Sequence, residues 1–441
     1  MKTLEKGSPK LLNAWAFYDW ANSVYPLVIS SAVFPIFFES LFNDRSHYID
    51  VFGLTLKNSA LISFVTAAAF LLVAFISPLL SGIADYVGNK KSFMKFFCYM
   101  GALSCMGLYW FSLENIYIGL FFYFFGLIGF WGSLVFYNSY LPDIAFPEQQ
   151  DKVSAKGYSL GYIGSVILLI VNLAMIMKPD LFGITGTSGE AAMKAMRYSF
   201  VMVGVWWILF SQYTYYFLPK GNKNEDQKVT HDVIFNGFKE LRKVWALLED
   251  NISLKRYLGS FFVYSMAVQT VMIIATYFGA QEIAWSSKEE STTGLIICIL
   301  VIQLVAVAGA VLTSKASGKF GNIPTLIVIN CIWVVFCALA FFITLPIHFY
   351  AMAGLAGLIM GGIQALSRST YSKYLPENIP DTASFFSFYD VTEKIGIVIG
   401  MCVYGIIDQI TGSPRWAIVF LALFFVISVL LLKRVPKNEA K

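Results

Sequence analysis

Long apolar runs separated by short polar stretches make up most of the chain. Each run is about as long as an α-helix must be to cross the hydrocarbon of a bilayer, where a helix satisfies its own backbone groups. We therefore expect an all-α, polytopic membrane protein. The runs predict twelve spans, numbered here in chain order: 13–41, 59–84, 92–112, 115–141, 153–178, 195–218, 256–283, 290–314, 323–345, 347–375, 384–409 and 414–433.

The composition agrees with this pattern and removes other classes of protein. Of the 441 residues, 57% are hydrophobic and 13% are charged, whereas soluble chains have about 45–50% and about 25%. A soluble enzyme and a disordered chain are excluded. The sequence also lacks the motifs HExxH, GxxxxGK[ST] and GxSxG, which carry metalloprotease, nucleotide-hydrolase and esterase chemistry. We expect no enzymatic activity, cofactor, metal site or nucleic-acid partner.

The distribution of positive charge predicts the orientation. An even number of spans places both termini on one side of the membrane, and Lys and Arg concentrate in cytoplasmic connections. Of the 32 Lys and Arg residues, 24 lie in the termini, the even-numbered connections and the central break or towards the span ends beside them, and Lys394 lies deep within a span. Only seven lie in the odd-numbered connections: Arg45, Lys57, Lys178, Lys194, Arg197, Lys288 and Arg415. We therefore expect cytoplasmic termini, and the plasma (inner) membrane as the location.

The chain divides at a polar break and repeats itself across it. Residues 81–89 match 314–322 at a shift of 233, and residues 140–143 match 374–377 at a shift of 234. Two matches in equivalent loops indicate duplicated halves. Parallel halves of this kind enclose a site near the bilayer midplane and rock around it, which is the major facilitator fold. The predicted units are an N-terminal six-helix bundle, 1–218, a cytoplasmic linker with an amphipathic helix, 219–255, and a C-terminal six-helix bundle, 256–441.

Four short motifs identify relatives. Residues 85–91 (DYVGNKK) resemble the signature of the loop between spans 2 and 3 in the major facilitator superfamily. Residues 17–23 (FYDWANS), 361–369 (GGIQALSRS) and 385–390 (FFSFYD) resemble the vacuole-effluxer-like family, whose fungal members export amino acids from the vacuole. The resemblance implies a secondary active transporter that moves a small solute by alternating access.

The same resemblance points to residues that gate transport. We expect Asp85 to face the positive N-terminal end of span 11 near Ser384, in a contact that is made in one state and lost in the other. The gating residues are Asp85, Gly88, Lys90 and Lys91.

Five charged residues inside the predicted spans are candidates for binding and coupling, because a charge in hydrocarbon is costly and is usually functional. They are Asp19, Arg368, Asp390, Glu393 and Lys394. By helical rise, Asp19, Arg368 and Asp390 have similar depths. Asp390 and Lys394 are four residues apart, so they can form a purely structural salt bridge.

In the functional interpretation, Lys394 or Arg368 receives a substrate carboxylate, and Asp19 or Glu393 titrates during the cycle, which couples transport to protons. Polar and aromatic side chains complete the candidate site: Trp20, Asn22, Gln269 and Gln364. Each such polar side chain can instead form an ordinary interhelical bond.

Two functions remain open. The first is a transporter of an amino acid or a similar zwitterion, and the second is a carrier or flippase for a lipid or a cell-wall fragment. Lys394 and Gln364 facing a closed central chamber favour the first, whereas a wide apolar slot between spans 5 and 8 favours the second. We expect a monomer, because one chain holds both halves.

Overall fold

A computed structural model describes residues 4–42, 48–51, 53–219, 239, 242–247, 250–376, 382–411 and 413–436. Long helices form at all twelve predicted spans. Span 1 consists of Pro9–Asn22, a π-helical segment Tyr25–Ala32 and Val33–Ser40. Spans 2 to 6 are Asn58–Val87, Lys90–Gly107, Ile116–Ser139, Pro147–Met177 and Ser188–Phe217. Spans 7 to 12 are Ile252–Glu282, Lys288–Phe320, Asn322–Ala340, Pro346–Tyr374, Thr382–Thr411 and Pro414–Leu432.

The predicted all-α membrane fold is confirmed. Within the described residues, nine of these helices are long and apolar enough to cross a membrane by length and composition alone. Spans 3, 6 and 11 fall outside that group. Span 3 begins with several lysines, span 6 is rich in Tyr and Trp, and span 11 carries Asp390, Glu393 and Lys394.

Two local features differ from the prediction. Span 1 widens to a π-helix at Tyr25–Ala32, where Pro26 supplies no backbone N–H and the Ser31 hydroxyl donates to the Pro26 carbonyl at 2.9 Å. Between spans 1 and 2, strands β1 (Tyr48–Val51) and β2 (Leu54–Lys57) form an antiparallel hairpin. Gly53 turns the hairpin at a φ of 76°, a conformation that glycine adopts without steric cost.

Each half has its own apolar core. One cluster of buried side chains runs from Leu11 to Leu218 and is joined by Ala383, and a second runs from Val244 to Val435 and is joined by Tyr162. Most of the predicted amphipathic helix of the linker lies outside the described residues. Residues 242–247 are helical. Val244 is buried in the second core, and the Trp245 ring lies 6.0 Å from the ring of Phe388.

Both halves begin and end on the same side of the bundle, which we call the termini side. Lys10, at the start of span 1, lies 4.6 Å from the ring of Phe217, at the end of span 6. Arg256, at the start of span 7, donates to the Arg434 carbonyl at 2.6 Å. The far end of the bundle is called the opposite side.

Glycines allow span 5 to lie directly against span 1. A Cβ atom on Gly157 would stand 2.2 Å from the Asp19 carboxylate, one on Gly161 2.3 Å from the Ser23 hydroxyl, and one on Gly164 2.9 Å from the Trp20 ring. Such distances are far below van der Waals contact, so only glycine permits this approach.

Candidate functional site

A buried ion pair joins the two halves near the middle of the bundle. Arg368 of span 10 donates from Nη2 to the Oδ2 atom of Asp19 in span 1 at 3.1 Å, and both side chains are almost fully buried. The Tyr137 hydroxyl donates to the same oxygen at 2.8 Å. The carboxylate therefore has a cation and a neutral donor, which offsets the cost of burying it.

All the nitrogens of the Arg368 guanidinium are occupied. Nε donates to the Ser154 hydroxyl at 3.0 Å, and Nη1 donates to the Asn138 side-chain oxygen at 3.3 Å. The guanidinium also lies 4.8 Å from the ring of Trp15 and 4.2 Å from that of Tyr158, distances that permit cation–π attraction. In this state Arg368 connects the halves, and four of its five N–H groups are hydrogen-bonded, since Nη2 also donates to the Ser154 carbonyl at 3.0 Å.

A second cluster of charges lies on span 11. Lys394 donates to Asp390 Oδ1 at 2.8 Å and to Glu393 Oε2 at 3.2 Å. Gln269 of span 7 donates to the other oxygen of Glu393 at 2.9 Å. The predicted i,i+4 pair is present. Asp390 lies at a depth in the bundle similar to that of Asp19 and Arg368. It pairs with Lys394, whereas Asp19 and Arg368 pair with each other.

The Lys394 ammonium does not face an open chamber. Only 1% of its side chain is exposed, and the ammonium lies 3.5 Å from the centroid of the Trp131 ring in span 4. Trp131 belongs to the N-terminal half, so this cation–π contact is a second link between the halves. Sequence reasoning missed Trp131, because one tryptophan in an apolar span resembles any packing residue.

Glu393 is the most accessible charge of the cluster, with 17% of its side chain exposed. It lies within electrostatic range of Tyr158, Tyr264 and Tyr389. Gln364 is half-buried and accepts a hydrogen bond from Tyr162 across the two halves at 2.7 Å. Two polar pairs therefore lie along the interface of the halves: Gln269 with Glu393, and Tyr162 with Gln364.

Trp20 and Asn22 lie within the N-terminal half. The Trp20 ring stacks on Trp206 at 5.5 Å and covers Gly164, so it packs span 1 against spans 5 and 6. Asn22 is buried and accepts a hydrogen bond from Ser23 at 3.4 Å. The structure does not bring these two residues to the cluster on span 11.

Asp85 contacts the first turn of span 11, as expected. It accepts hydrogen bonds from the backbone N–H groups of Ala383 at 3.2 Å and Ser384 at 2.7 Å, and from the Ser384 hydroxyl at 2.8 Å. The first N–H groups of a helix have no partner within the helix and favour an anion. We call this contact, formed by Asp85, Ala383 and Ser384, the loop latch.

Of the other predicted gating residues, Lys90 contacts the start of span 11, and Gly88 and Lys91 shape the loop between spans 2 and 3. Gly88 has a φ of 65° and ends span 2. Lys90 contacts the Asp143 carboxylate and donates to the Thr382 hydroxyl of span 11 at 2.5 Å. Lys91 donates to the Leu218 carbonyl at 2.8 Å and thus stays within the N-terminal half.

A second latch, which sequence reasoning missed, lies at the equivalent place in the other half. Asp151 near the start of span 5 accepts hydrogen bonds from Ser317 at 2.9 Å, from Asn322 at 3.0 Å and from Lys373 at 2.7 Å. We call this set, formed by Asp151, Ser317, Asn322 and Lys373, the helix latch. The signal that identifies it is the repeat, because Asp151 and Ser384 are separated by the repeat shift of 233.

These contacts close the termini side. The hydrogen bonds between described side chains of opposite halves lie on the termini side or in the middle of the bundle, and none of them lies on the opposite side. Ala155, Ala310 and Ala365, from spans 5, 8 and 10, also pack together and leave no slot between spans 5 and 8 there.

The sequence comparisons agree with one another. A family model described as "Vacuole effluxer Atg22 like" matches residues 7–441. YxiO of Bacillus subtilis (strain 168), named as an uncharacterized MFS-type transporter, is 31% identical, with 97% of this chain and 95% of YxiO covered. Autophagy-related protein 22-1 of Phaeosphaeria nodorum is 22% identical over 96% of this chain and 89% of its own length.

Solved structures share the fold. The MFS transporter FucP in its outward conformation superposes with a TM-score of 0.69 at 13% identity, covering 98% of this chain and 99% of FucP. The proton:xylose symporter XylE superposes with a TM-score of 0.69 at 14% identity, covering 98% of this chain and 96% of XylE.

Proposed function

The chain belongs to the Atg22-like vacuole effluxer family of the major facilitator superfamily and is a multi-pass secondary transporter, not an enzyme, and we propose that it moves a small zwitterionic solute, with an amino acid as the first candidate. The observation that carries the proposal is a set of polar contacts along the interface of the halves: Gln269 donates to Glu393, which lies within electrostatic range of Tyr158 of span 5, and Gln364 accepts from Tyr162 of the same span. A carboxylate and two amides offer partners for both an ammonium and a carboxylate group.

The proposed cycle rests on the two halves moving as units, residues 1–218 and 256–441, joined by the linker 219–255. In the described state the latches close the termini side, so solute enters from the opposite side. Release then requires the two latches and the Asp19–Arg368 pair to part. Rocking of two repeats around a central site is the general way in which such folds transport.

Glu393 is the proposed contact for the solute's ammonium group, because it is the charged side chain of the cluster that is partly exposed. Lys394 is the proposed contact for a solute carboxylate once Trp131 has moved away from it. Arg368 would become available in the same way when its contacts with Asp19 and Ser154 break. Trp20 and Asn22 would then act through the position of span 1.

A carrier for a lipid or a cell-wall fragment is the second candidate. An apolar cavity inside the C-terminal half favours it, since Phe278, Leu295, Ile302, Phe349 and Met352 line the space between spans 7, 8 and 10. Against it stands the close packing of Ala155, Ala310 and Ala365 at the seam between spans 5 and 8, through which a lipid would have to pass.

Orientation and coupling complete the proposal. We place the termini side in the cytoplasm, because it carries most of the Lys and Arg residues, and we place the protein in the plasma (inner) membrane as a monomer. Protons are the proposed coupling ion, because the charged groups between the halves include the carboxyl groups of Asp19, Asp390 and Glu393. Labelling of tags at both chain ends from inside and outside the cell tests the orientation.

Uptake into proteoliposomes tests the function. Wild-type protein and the Glu393→Gln variant are compared on a panel of amino acids, with and without a pH gradient. We expect the wild type to accumulate at least one amino acid faster with the gradient, and the variant to lose that uptake. If lipid probes move across the bilayer and no amino acid is taken up, the second function replaces the first.

A further inference from the structure

The charges on span 11 do not balance. The cluster holds two carboxylates, Asp390 and Glu393, and one ammonium, Lys394. The other charged pairs between the halves, Asp19 with Arg368 and Asp151 with Lys373, are each complete in themselves. One surplus negative charge in the interior of a membrane protein is costly, and binding a proton or a cation removes that cost.

The hydrogen bonds show which carboxyl group carries the surplus. Both oxygens of Glu393 are occupied, one by Lys394 and one by Gln269. Asp390 accepts from Lys394 on Oδ1, whereas its buried Oδ2 has no hydrogen-bond partner within the described part of the chain. The Asp390 side chain is only 9% exposed. A buried carboxylate oxygen without a donor strongly favours the protonated form.

We propose that Asp390 is the proton-binding residue of this transporter and that the proton occupies its Oδ2 atom while Lys394 stays on Oδ1. The inference rests on the proposed function, in which protons couple transport, and names the residue that carries them. The sequence indicated Asp19 or Glu393 as the titrating residue. The proposal gives that role to Asp390, which the sequence indicated as a partner of Lys394 in a salt bridge.

The surroundings of Asp390 support a proton rather than a metal cation. The charged groups that act on it are Lys394 and Glu393 of its own helix. Span 2 carries no charged residue before Asp85, and span 12 none after Arg415 until its end. Spans 4 and 7 contribute the uncharged Trp131 and Gln269 at the cluster. Na⁺ requires several oxygen ligands, whereas the group bonded to Asp390 is the Lys394 ammonium, which repels a metal cation.

Trp131 gives the proton site a connection to the transport cycle. Its ring covers the face of the Lys394 ammonium from the other half of the molecule. When the halves rock, this ring leaves the ammonium and water reaches the ion pair. Water weakens the hold of Lys394 on Asp390, so proton binding and the opening of the termini side act on the same two residues.

Infrared difference spectroscopy of the purified full-length protein in lipid tests the assignment without any solute. The signal is the C=O stretch of a protonated carboxyl group, followed as the pH is raised. We expect the wild type to show one such band from its interior, Asp390→Asn to lose it, and Asp19→Asn to keep it. Glu393→Gln removes the surplus negative charge of the cluster, so its band should disappear at a lower pH than that of the wild type. Asp390→Glu is the conservative control and should show the band at a shifted frequency.

The outcomes separate the inference from the proposed function. A band that survives Asp390→Asn in folded protein, or that disappears in Asp19→Asn, overturns the assignment, as does its loss when NaCl replaces choline chloride at constant pH. If Asp390→Asn does not fold, absence of the band in folded Asp390→Glu overturns it. A band that belongs to Asp390, together with absence of amino-acid uptake in the same liposomes, overturns the proposed function and leaves the proton site.

Discussion

The two latches on the termini side turn at equivalent glycines but have opposite chemistry. In the N-terminal half, the connection between spans 2 and 3 turns at Gly88, and in the C-terminal half the equivalent connection turns at Gly321, with φ values of 65° and 88°. The two glycines are 233 residues apart, which is the repeat shift. Both turns contact the first residues of a span in the other half.

The acidic residue of each latch lies on a different kind of element, the end of one span or the start of another. In the loop latch, Asp85 lies at the end of span 2 and binds the start of span 11. Its repeat equivalent is Gly318, which has no side chain, and the acid instead comes from Asp151 at the start of span 5. The repeat equivalent of Asp151 is Ser384, the donor of the loop latch. Acid and donor have exchanged places between the halves.

This exchange changes the kind of donor that each acid meets. Asp85 is held by two backbone N–H groups and a hydroxyl, so its donors on span 11 belong partly to the helix itself. Asp151 is held by side chains only, one of them the mostly buried ammonium of Lys373. Duplicated halves thus preserve the position of a contact more strictly than the residue that makes it.

The largest expected effect comes from breaking the buried ion pair between Asp19 and Arg368. In Gly157→Ala the new Cβ would lie 2.2 Å from the Asp19 carboxylate, so Asp19 and Arg368 cannot stay paired. Breaking a buried pair costs about 3–5 kcal/mol. We expect a lower melting temperature and rapid maleimide labelling of a reporter, Ala310→Cys, in a background whose native cysteines are replaced.

Gly259→Ala is the matched control, because a Cβ there has no atom within 4 Å. It should leave both the melting temperature and the labelling unchanged. If Gly157→Ala also leaves the reporter protected, the latches alone hold the termini side closed, and the central pair is dispensable for closure.

The comparison of the latches also shows how far sequence could lead. Span lengths and the repeat predicted the fold, because apolar length is a requirement of the bilayer. The contact of Asp85 with span 11 followed from the resemblance of residues 85–91 to a loop signature and from the charge of a helix N-terminus. The pair Asp390 and Lys394 followed from helical spacing alone. These are properties of position along one chain segment.

The contacts that the sequence could not predict depend on how each helix is rotated about its own axis. Asp19 and Asp390 have similar depths, and only the facing of spans 1 and 11 decides that Arg368 pairs with Asp19. Trp131 covers Lys394 for the same reason. Asp151 could not be predicted from Asp85, because the repeat equivalent of Asp85 is Gly318. The acidic residue of the helix latch lies instead on span 5.

The next largest effect tests whether the two latches act independently. Asp85→Asn and Asp151→Asn are combined, and the labelling rate of the Ala310→Cys reporter is measured for the double and both single variants. Sites that share no partner usually add in free energy, so the factors by which the single variants raise the rate should multiply. A double variant that labels no faster than the faster single variant shows that one latch opens whenever the other does.

A smaller effect separates the single variants. Asp151→Asn removes the carboxylate from the mostly buried Lys373 ammonium, and losing a bond to a charged group costs about 1.5–3 kcal/mol, or roughly tenfold or more in the opening equilibrium. Asp85→Asn keeps an oxygen that can accept from the Ser384 N–H and loses mainly the attraction of the helix end, about 0.3–1 kcal/mol. Reporter labelling should therefore rise more in Asp151→Asn, and the reverse order would contradict the assignment of donors.

The smallest effect comes from exchanging acid and donor within the loop latch, which copies the arrangement of the helix latch. In Asp85→Ser combined with Ser384→Asp, the new carboxylate lies in the first turn of span 11, where the helix end favours it, and the serine hydroxyl can donate to it. We expect the double variant to recover most of the reporter protection that Asp85→Ser loses, to within a few-fold of the wild type. Ser384→Asp alone places two carboxylates together, so its reporter should label faster than that of Asp85→Ser or of the double variant. If the double variant labels as fast as Asp85→Ser, the backbone N–H groups of Ala383 and Ser384 require an acceptor from the loop, and the two latches are not interchangeable.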